Sequence, residues 1–328
     1  MSTELIIAIG LALLFDFLNG IHDSSNIVAT MISSRAFRPE TALGLTAVAE
    51  FFGPFLFGVA VATTIGDEVA AGNVLNLNII IACLVGAILW NLITWFLGIP
   101  SSSSHALIGG MVGAVIAGAG VDAIKIDGLE KVLVALIASP LIGFVIGFLV
   151  TRLIYFLSRN ATPSINKFFK KSQLVTALGM AFSHGTNDAQ KTMGIIALSL
   201  VIGGASSSFH VPTWVVASCA GAIALGTALG GWRLIRTLGG KFYKIRPIHS
   251  FSTQLTSGMV ILIASFLGLP VSTSQVVSSA IIGVGASESV GKVRWSVAEE
   301  IVMAWFITIP ASALISAGAY WLIVTLTG

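Results

Sequence analysis

Two short stretches set carboxylates inside apolar sequence: GIHDSSN at residues 20–26 and GTNDAQK at residues 185–191. An ionisable group within such a run is costly unless it is paired, so Asp23 and Asp188 are candidate cation ligands. Asn26 and Asn187 put amide oxygens beside them, and oxygen donors of this kind suit a hard cation. Two other stretches carry hydroxyls: GIPSSSSH from Gly98 and GLPVSTSQ from Gly268. Proline disfavours helix in the residue before it and is welcome in a first helical turn, while Ser and Thr are good N-caps. Each stretch therefore reads as helix, break, new helix. The N–H groups that start the new helix carry partial positive charge, which suits an anion. Together with Ser101, Ser102, Ser103, Ser104, Ser272, Thr273 and Ser274 they would offer donors to a tetrahedral oxyanion. Carboxylates beside an oxyanion repel it unless cations sit between them, so the two chemistries require one another. The plainer alternatives are that the serines only cap two broken helices, and that the aspartates only link helices.

The elements that must hold these groups are apolar. Of 328 residues, 55% are hydrophobic and only 9% are charged, against about 25% charged in soluble domains. Mean hydropathy is +0.96. Apolar runs near the length of a bilayer span recur at 5–30, 41–65, 78–97, 104–120, 129–155, 174–202, 213–232, 251–268, 275–286 and 299–326. A β-barrel would instead show alternating segments of about ten residues, and none is present. The fold expected is an all-α polytopic membrane protein, multi-pass in the cell (inner) membrane. The N-terminus lacks the basic flank of a signal peptide and reads as part of the first span. Cys83 and Cys219 both lie in apolar runs and read as core packing.

Charge then gives orientation. Fourteen of the 17 Lys and Arg residues cluster: Arg35 and Arg38; Arg152, Arg159, Lys167, Lys170 and Lys171; Arg233, Arg236, Lys241, Lys244 and Arg246; Lys292 and Arg294. By the positive-inside rule these loops are cytoplasmic. The loops at 66–77, 121–131 and 203–213 read as outside. Tracing the chain through these assignments puts both termini outside. Each half then has three full spans plus a re-entrant helical hairpin, and the odd number of crossings inverts the second half. Such inverted-topology repeats are the architecture of many secondary transporters.

Residue matches agree with the charges. Gly20, Asp23 and Asn26 meet Gly185, Asp188 and Lys191 at one offset. Pro100, Ser102, Ser103, Ser104 and Gly113 meet Pro270, Ser272, Thr273, Ser274 and Gly283 at another, as do Glu130 with Glu300 and Pro140 with Pro310. The domain reading is a first transmembrane repeat at 1–158, a basic cytoplasmic linker at 159–173, and a second, inverted repeat at 174–328. The small polar residues around Asp23 and Asp188 suggest that each half's first helix unwinds there.

These motifs together resemble the inorganic phosphate transporter (PiT) family. The likeness runs over roughly residues 15–325, and SHGTNDAQKTMG at 183–194 is its most specific part. The first signature departs from the pattern, with His22 where the family usually has Asn. The resemblance implies symport of orthophosphate driven by sodium, or by protons in some members. It implies that Asp23, Asn26, Asn187 and Asp188 belong to the cation and phosphate sites, with the hairpin hydroxyls. The assignment carried forward is phosphate on Ser102, Ser103, Ser104, Ser272, Thr273 and Ser274, and sodium on Asp23, Asn26, Asn187, Asp188 and Glu50. Sodium serves as the coupling ion, with no transition metal. Lys191 and His22 are neighbours of the site.

Other polar residues carry open readings. Glu50 is a third cation ligand or a neutral buried carboxyl. Lys191 sits one turn from Asp188 and can pair with it. Asp16 either guards an access path or marks a helix end. His105 faces Gln275 across the repeat and suits a hydrogen bond better than a proton relay. His184 precedes Gly185 and is placed to contact the site, and His210 and His249 lie at loop edges, where solvent would reach them. Nothing matches a nucleotide-binding loop, and no nucleic-acid partner is implied. The expected function is import of phosphate in symport with sodium. Alternatives are a proton-coupled phosphate or sulfate permease, or an anion channel. A channel would want basic rings, and Lys191 is the lone base within a span. An enzyme is not expected, because Ser104 and His105 are adjacent on a helix and face different ways. Thirty-five glycines permit close packing of helices, with membrane lipid as surroundings and a homo-oligomer as a further option.

Overall fold

A backbone inside hydrocarbon satisfies its polar groups only as helix or closed barrel, and the computed structural model of this chain is helical. It describes residues 2–56, 58–68, 75–99, 101–231, 235 and 243–327. Pro100, Arg233, Arg236, Lys241 and residues 69–74 of the 66–77 loop lie outside the described residues. Among the described residues, every regular element is helical. The helices are α1 (Thr3–Ser33), α2 (Pro39–Leu56), α3 (Ala60–Thr63), α4 (Leu77–Leu97), α5 (Ser103–Ala119), α6 (Ile126–Leu157), α7 (Ile165–Ile202), α8 (Thr213–Leu229), α9 (Pro247–Phe266), α10 (Thr273–Glu288) and α11 (Trp295–Thr327).

Helices α1, α4, α6 and α11 are each long and apolar enough to cross a bilayer, and α2 with α3 adds a fifth span if taken as one bent unit. The protein is a multi-pass membrane protein. Leu141, Ile137, Phe306 and Leu314 stand exposed on its outer wall, as lipid-facing side chains should. Helix α7 spans 38 residues, but His184, Asn187, Asp188, Gln190 and Lys191 make its middle polar. Helices α5 and α8 have only 17 residues and α10 has 16. At about 1.5 Å per residue none of these three covers a hydrocarbon core of about 30 Å.

Three expectations need correction. The loop at 159–173 is mostly helix, because α7 already begins at Ile165 and carries Lys167, Lys170 and Lys171 on its first turns. The run at 41–65 is broken after Leu56. Most importantly, neither α1 nor α7 unwinds at its aspartate. The small polar residues there bond back onto their own helix: Ser24 to Ile21 O, Ser25 to His22 O, Ser183 to Gly179 O and Thr186 to Phe182 O. The glycines serve contact instead of flexibility. A Cβ on Gly20 would lie 2.2 Å from the Ile223 carbonyl oxygen, and one on Gly194 would lie 2.4 Å from that of Ala62.

The two breaks do form, and they form alike. Gly98 and Gly268 take left-handed φ of 71° and 67°, which only glycine adopts freely. Each closes its helix with the same pair of bonds, Gly98 N to Trp95 O and Ile99 N to Thr94 O, Gly268 N to Ser265 O and Leu269 N to Ala264 O. The chain then doubles back. Helix α5 runs along α4, with Cys83 Sγ on Leu107 O and Gly118 against Ile79. Helix α10 returns along α9. Both second legs pack across the molecule: α5 against α11 through Gly109 and Gly113, and α10 against α6 through Gly143 and Gly147.

The apolar core is split. One cluster holds Leu5 to Phe15, much of α4 and α5, the end of α7 and part of α8. The other holds Ile27 to Met31, Ala177 to Ala181 and parts of α2, α9 and α10. Between them lies a buried polar layer from α1, α7 and the two hairpin tips. The close contacts that hold this stack can be probed on one helix. A Cβ on Gly226 would lie 2.0 Å from Phe17 O, whereas Gly221 has nothing within 4 Å. Gly226→Ala should lower stability by roughly 1–3 kcal/mol through overpacking. Gly221→Ala should be neutral, or gain up to about 1 kcal/mol from helix propensity. Thermal unfolding of the two purified variants checks the order, and equal melting temperatures would contradict it.

Candidate functional site

The site grows from the start of two helices. Ser102 and Ser272 are N-caps: their hydroxyls accept from His105 N at 3.2 Å and Gln275 N at 3.3 Å. The same two hydroxyls bond each other at 2.7 Å, so the hairpin tips touch. His105 Nδ1 reaches Ser102 Oγ at 2.9 Å, and its Nε2 lies 3.2 Å from the Gln275 amide, which braces the junction as expected. Ser102 and Ser272 are thus engaged in holding the tips. The first-turn N–H groups of Ser103, Ser104, Thr273 and Ser274 have no intrahelical acceptor, and they gather at the junction.

The remaining hydroxyls meet the carboxylates. Ser274 Oγ donates to Asp23 Oδ1 at 2.7 Å, and Ser103 Oγ reaches Asp23 Oδ2 at 3.4 Å. Thr273 Oγ1 donates to Asp188 Oδ2 at 2.8 Å. Asn26 donates to Asp23 Oδ1 at 2.8 Å, and His22 Nδ1 stands 3.5 Å from the same oxygen. Ser101 is different. It bonds Thr94 within its own hairpin, away from the junction. Asn187 holds the second hairpin by donating to Ser265 Oγ at 3.0 Å and to Leu269 O at 3.2 Å, while its own oxygen has no hydrogen-bond partner among the described residues.

Lys191 pairs with Asp188 as expected. Its ammonium also donates to Ser104 Oγ at 2.7 Å and Val271 O at 2.8 Å, so it ties α7 to both hairpins. His184 is the residue that sequence reasoning underweighted. It sits at the centre, with Nε2 3.0 Å from Asp188 Oδ2 and 3.6 Å from Asp23 Oδ2, and Nδ1 2.7 Å from Glu50 Oε1. The available signal was its spacing, four residues before Asp188 on the same helix face. Glu50 therefore lies behind His184 and orients it, rather than joining the two aspartates. Gly185 permits this, since a Cβ there would lie 2.4 Å from Glu50 O and hold α2 away. Asp23, His184 and Asp188 present ligand atoms within 4.8 Å of one another and could hold a metal ion.

Two side residues also differ from expectation. Asp16 is mid-helix and fully buried, not at a helix end; its Oδ1 accepts from Thr192 at 2.9 Å. His249 is buried rather than solvated, between Tyr155 OH at 3.0 Å and Glu288 at 3.2 Å. His210 is exposed. Cys83 and Cys219 are free and buried.

The pairing at the centre can be tested through stability. Removing one member of a buried ion pair costs roughly 3–5 kcal/mol, because the other is left uncompensated. Asp188→Asn should lower the unfolding free energy by about that amount, and Asp188→Asn with Lys191→Met should recover much of it. Denaturation in matched detergent measures both. A double variant no more stable than the single would mean that Lys191 is held by its other contacts.

Comparison with known proteins follows the same lines. The family model described as the phosphate transporter family matches residues 19–316. A protein of Bacillus subtilis called a probable low-affinity inorganic phosphate transporter is 46% identical over 316 residues, covering 95% of each chain. One of Rhizobium meliloti with the same description is 46% identical, covering 95% of this chain and 94% of that one. The solved structure of a sodium-dependent phosphate transporter superposes over the whole of both chains with a TM-score of 0.89 at 23% identity, which shows a shared fold. The chain belongs to the phosphate transporter family, whose members are transporters and not enzymes.

Proposed function

We propose that this member of the phosphate transporter family imports inorganic phosphate in symport with sodium, binding it near the membrane midplane between the two hairpin tips. The observation that carries the reading is a single buried layer with opposite chemistries in contact. Helix N-termini of α5 and α10, which favour anions, lie on Asp23 and Asp188 through Ser103, Thr273 and Ser274. Three carboxylates, Asp23, Asp188 and Glu50, face one ammonium, Lys191, and the imidazoles of His22 and His184. Both His184 ring nitrogens face carboxylate oxygens, which takes one proton more than a neutral imidazole with an ionised Glu50 carries. With that proton the layer still holds one uncompensated negative charge, and a phosphate adds more. Cations must enter with it, because uncompensated charge in a dry interior is prohibitive.

Roles follow from the contacts. Asp23 and Asp188, with the amide oxygens of Asn26 and Asn187, hold sodium. As the carboxylates turn to the cations, Ser103, Thr273 and Ser274 are released to donate to phosphate, beside Ser104 and Lys191. Ser102 and Ser272 position both helix starts. The matching bonds at Gly98 and Gly268 and the swapped packing of α5 and α10 support an inverted repeat of 1–158 and 174–328. In that arrangement both termini lie outside a cell (inner) membrane and each half has three spans plus a hairpin, the 17-residue α8 being a short span that the chain on either side completes. A proton-coupled alternative draws on His184, whose imidazole reaches three carboxylates.

Uptake of labelled phosphate into proteoliposomes tests the reading. Concentrative uptake on an inward sodium gradient is expected, and none on a pH gradient alone; the reverse result would establish the proton-coupled alternative. Asp23→Asn and Asp188→Asn should each abolish the sodium-driven component, since an amide cannot offset the dehydration of the ion. Wild-type sodium dependence in both would make the aspartates structural.

Phosphate binding tests the hairpins separately. Losing a hydrogen bond to a charged ligand costs about 1.5–3 kcal/mol, roughly tenfold to a hundredfold in affinity. Ser104→Ala and Ser274→Ala should each show such a loss by calorimetric titration at saturating sodium, without abolishing binding. Unchanged affinity in both would remove the hairpin hydroxyls from the phosphate site.

A further inference from the structure

Asp23, Asp188 and Lys191 are buried, so ions and phosphate reach them only when something that covers them moves. Helices α1 and α7 run unbroken through the layer and press on their neighbours backbone to backbone. The hairpins are the elements that end there, each turning at one left-handed glycine. What rests on the two turns differs. Among the described residues, nothing lies within 4 Å of a Cβ built on Gly98, and that turn borders a cavity of about 690 Å³. The turn at Gly268 is covered. The Thr64 hydroxyl donates to Gly268 O at 2.7 Å, and a Cβ on Gly268 would lie 3.5 Å from that of Ala60.

The covering piece is α3 with the helical turn that continues it, Thr64–Glu68. It starts just beyond Gly58, whose φ of 75° is also left-handed and which has open space around it. Helix α3 has only four residues, too few to persist unsupported. Its N-cap is Val59, which has no side-chain oxygen to offer, although the first N–H groups of a helix need acceptors. Gln190 of α7 supplies one. Its Oε1 accepts from Val61 N at 2.8 Å and from Ala62 N at 3.4 Å. Gln190 is fully buried, and its Nε2 has no partner among the described residues, so its side-chain bonds all go to α3. The stretch of α7 that carries Asp188 and Lys191 into the site therefore also sets α3, and α3 sets the Gly268 turn. Asn187 holds the next carbonyl of that turn, donating to Leu269 O at 3.2 Å.

We propose that Thr64 and Gln190 are positioning residues for transport: α3, anchored by Gln190, is a clasp that holds the α9–α10 hairpin shut over the site, and Thr64 must release the Gly268 turn once in each transport cycle. The proposal rests on the reading above that phosphate binds between the hairpin tips. Thr64 acts on substrate only through the turn. A single hydrogen bond between neutral groups is a weak link, which suits a contact made and broken repeatedly. The left-handed glycines at 58 and 268 end the segments on either side of it.

A reversible lock on the full-length protein in proteoliposomes tests the clasp. Ala60→Cys with Gly268→Cys, in a background of Cys83→Ala and Cys219→Ser, sets two Cβ atoms 3.5 Å apart, within the range of about 3.5–4.5 Å found in disulfides. Oxidation should join them. Sodium-driven phosphate uptake should then fall by roughly tenfold or more, as for an enzyme whose lid is held closed, and should return on reduction. Equal uptake by oxidised and reduced protein overturns the proposal. So does failure of the pair to cross-link, since α3 would then not rest on the turn. Variants without new cysteines cover the case of a poorly folded double variant. Amide hydrogen exchange over residues 264–272 should quicken roughly two- to tenfold in Thr64→Val, the loss of one neutral hydrogen bond. Gln190→Leu should quicken the same peptide without touching it, and Thr64→Ser, which keeps the donor, should match wild type. Unchanged exchange in Thr64→Val or in Gln190→Leu overturns the proposal. Absence of sodium-driven uptake in the wild-type protein counts instead against the symport reading, and the lock is then read on whichever gradient drives uptake.

Discussion

Charge in a layer without water is the constraint on which everything else here depends. Asp16, Asp23, Glu50, His184, Asp188 and Lys191 are all buried within a protein whose surroundings are hydrocarbon. Each unpaired charge there would cost several kcal/mol, so the fold is organised to bring partners to them. Helix α7 supplies His184, Asp188 and Lys191 on one face. Helix α1 supplies Asp16 and Asp23 on another. The hairpins contribute hydroxyls and helix N-termini in place of water.

Bringing these groups together needs helices closer than side chains normally allow. Gly20 against Ile223, Gly185 against Glu50 and Gly194 against Ala62 are backbone-to-backbone contacts. They are the reason the signature stretches are rich in small residues. In a membrane, where apolar surface gains little by leaving lipid, such contact and interhelical hydrogen bonds supply association. The price is rigidity, and it falls on α1 and α7, which run unbroken through the site. The irregular backbone is confined instead to the two hairpin tips, where left-handed glycines turn the chain and the buried caps meet. That division places the carboxylates on unbroken helices and the anion-favouring N–H groups on the elements that end inside the protein.

The polar layer is enclosed by two separate apolar clusters. This arrangement differs from a single continuous core. Lys191 and the Ser102–Ser272 contact cross from one half of the chain to the other within the layer. The two halves are therefore coupled through the site itself as well as through the packing of α5 on α11 and α10 on α6.

Much of this was legible in the sequence. Composition and segment pattern determined a helical membrane protein, because a chain with 9% charge and repeated apolar runs satisfies its backbone only as helix or closed barrel, and its apolar runs lack the alternation of barrel strands. Gly-x-Pro followed by Ser and Thr determined the two helix breaks and their capping residues, because those preferences are local. The duplicated aspartates were visible as buried charge and therefore as a candidate site. What only the tertiary structure decided was which group meets which. Sequence could not place Glu50 behind His184, since that contact joins α2 to α7 across a glycine. It could not show that Ser102 and Ser272 face each other while Ser274 reaches Asp23, because the contacts span 170 and 251 residues. It suggested unwinding at Asp23 and Asp188, where the structure keeps unbroken helix. Small polar residues next to glycine satisfy either arrangement locally, and only the partner backbone pressed against that glycine selects between them.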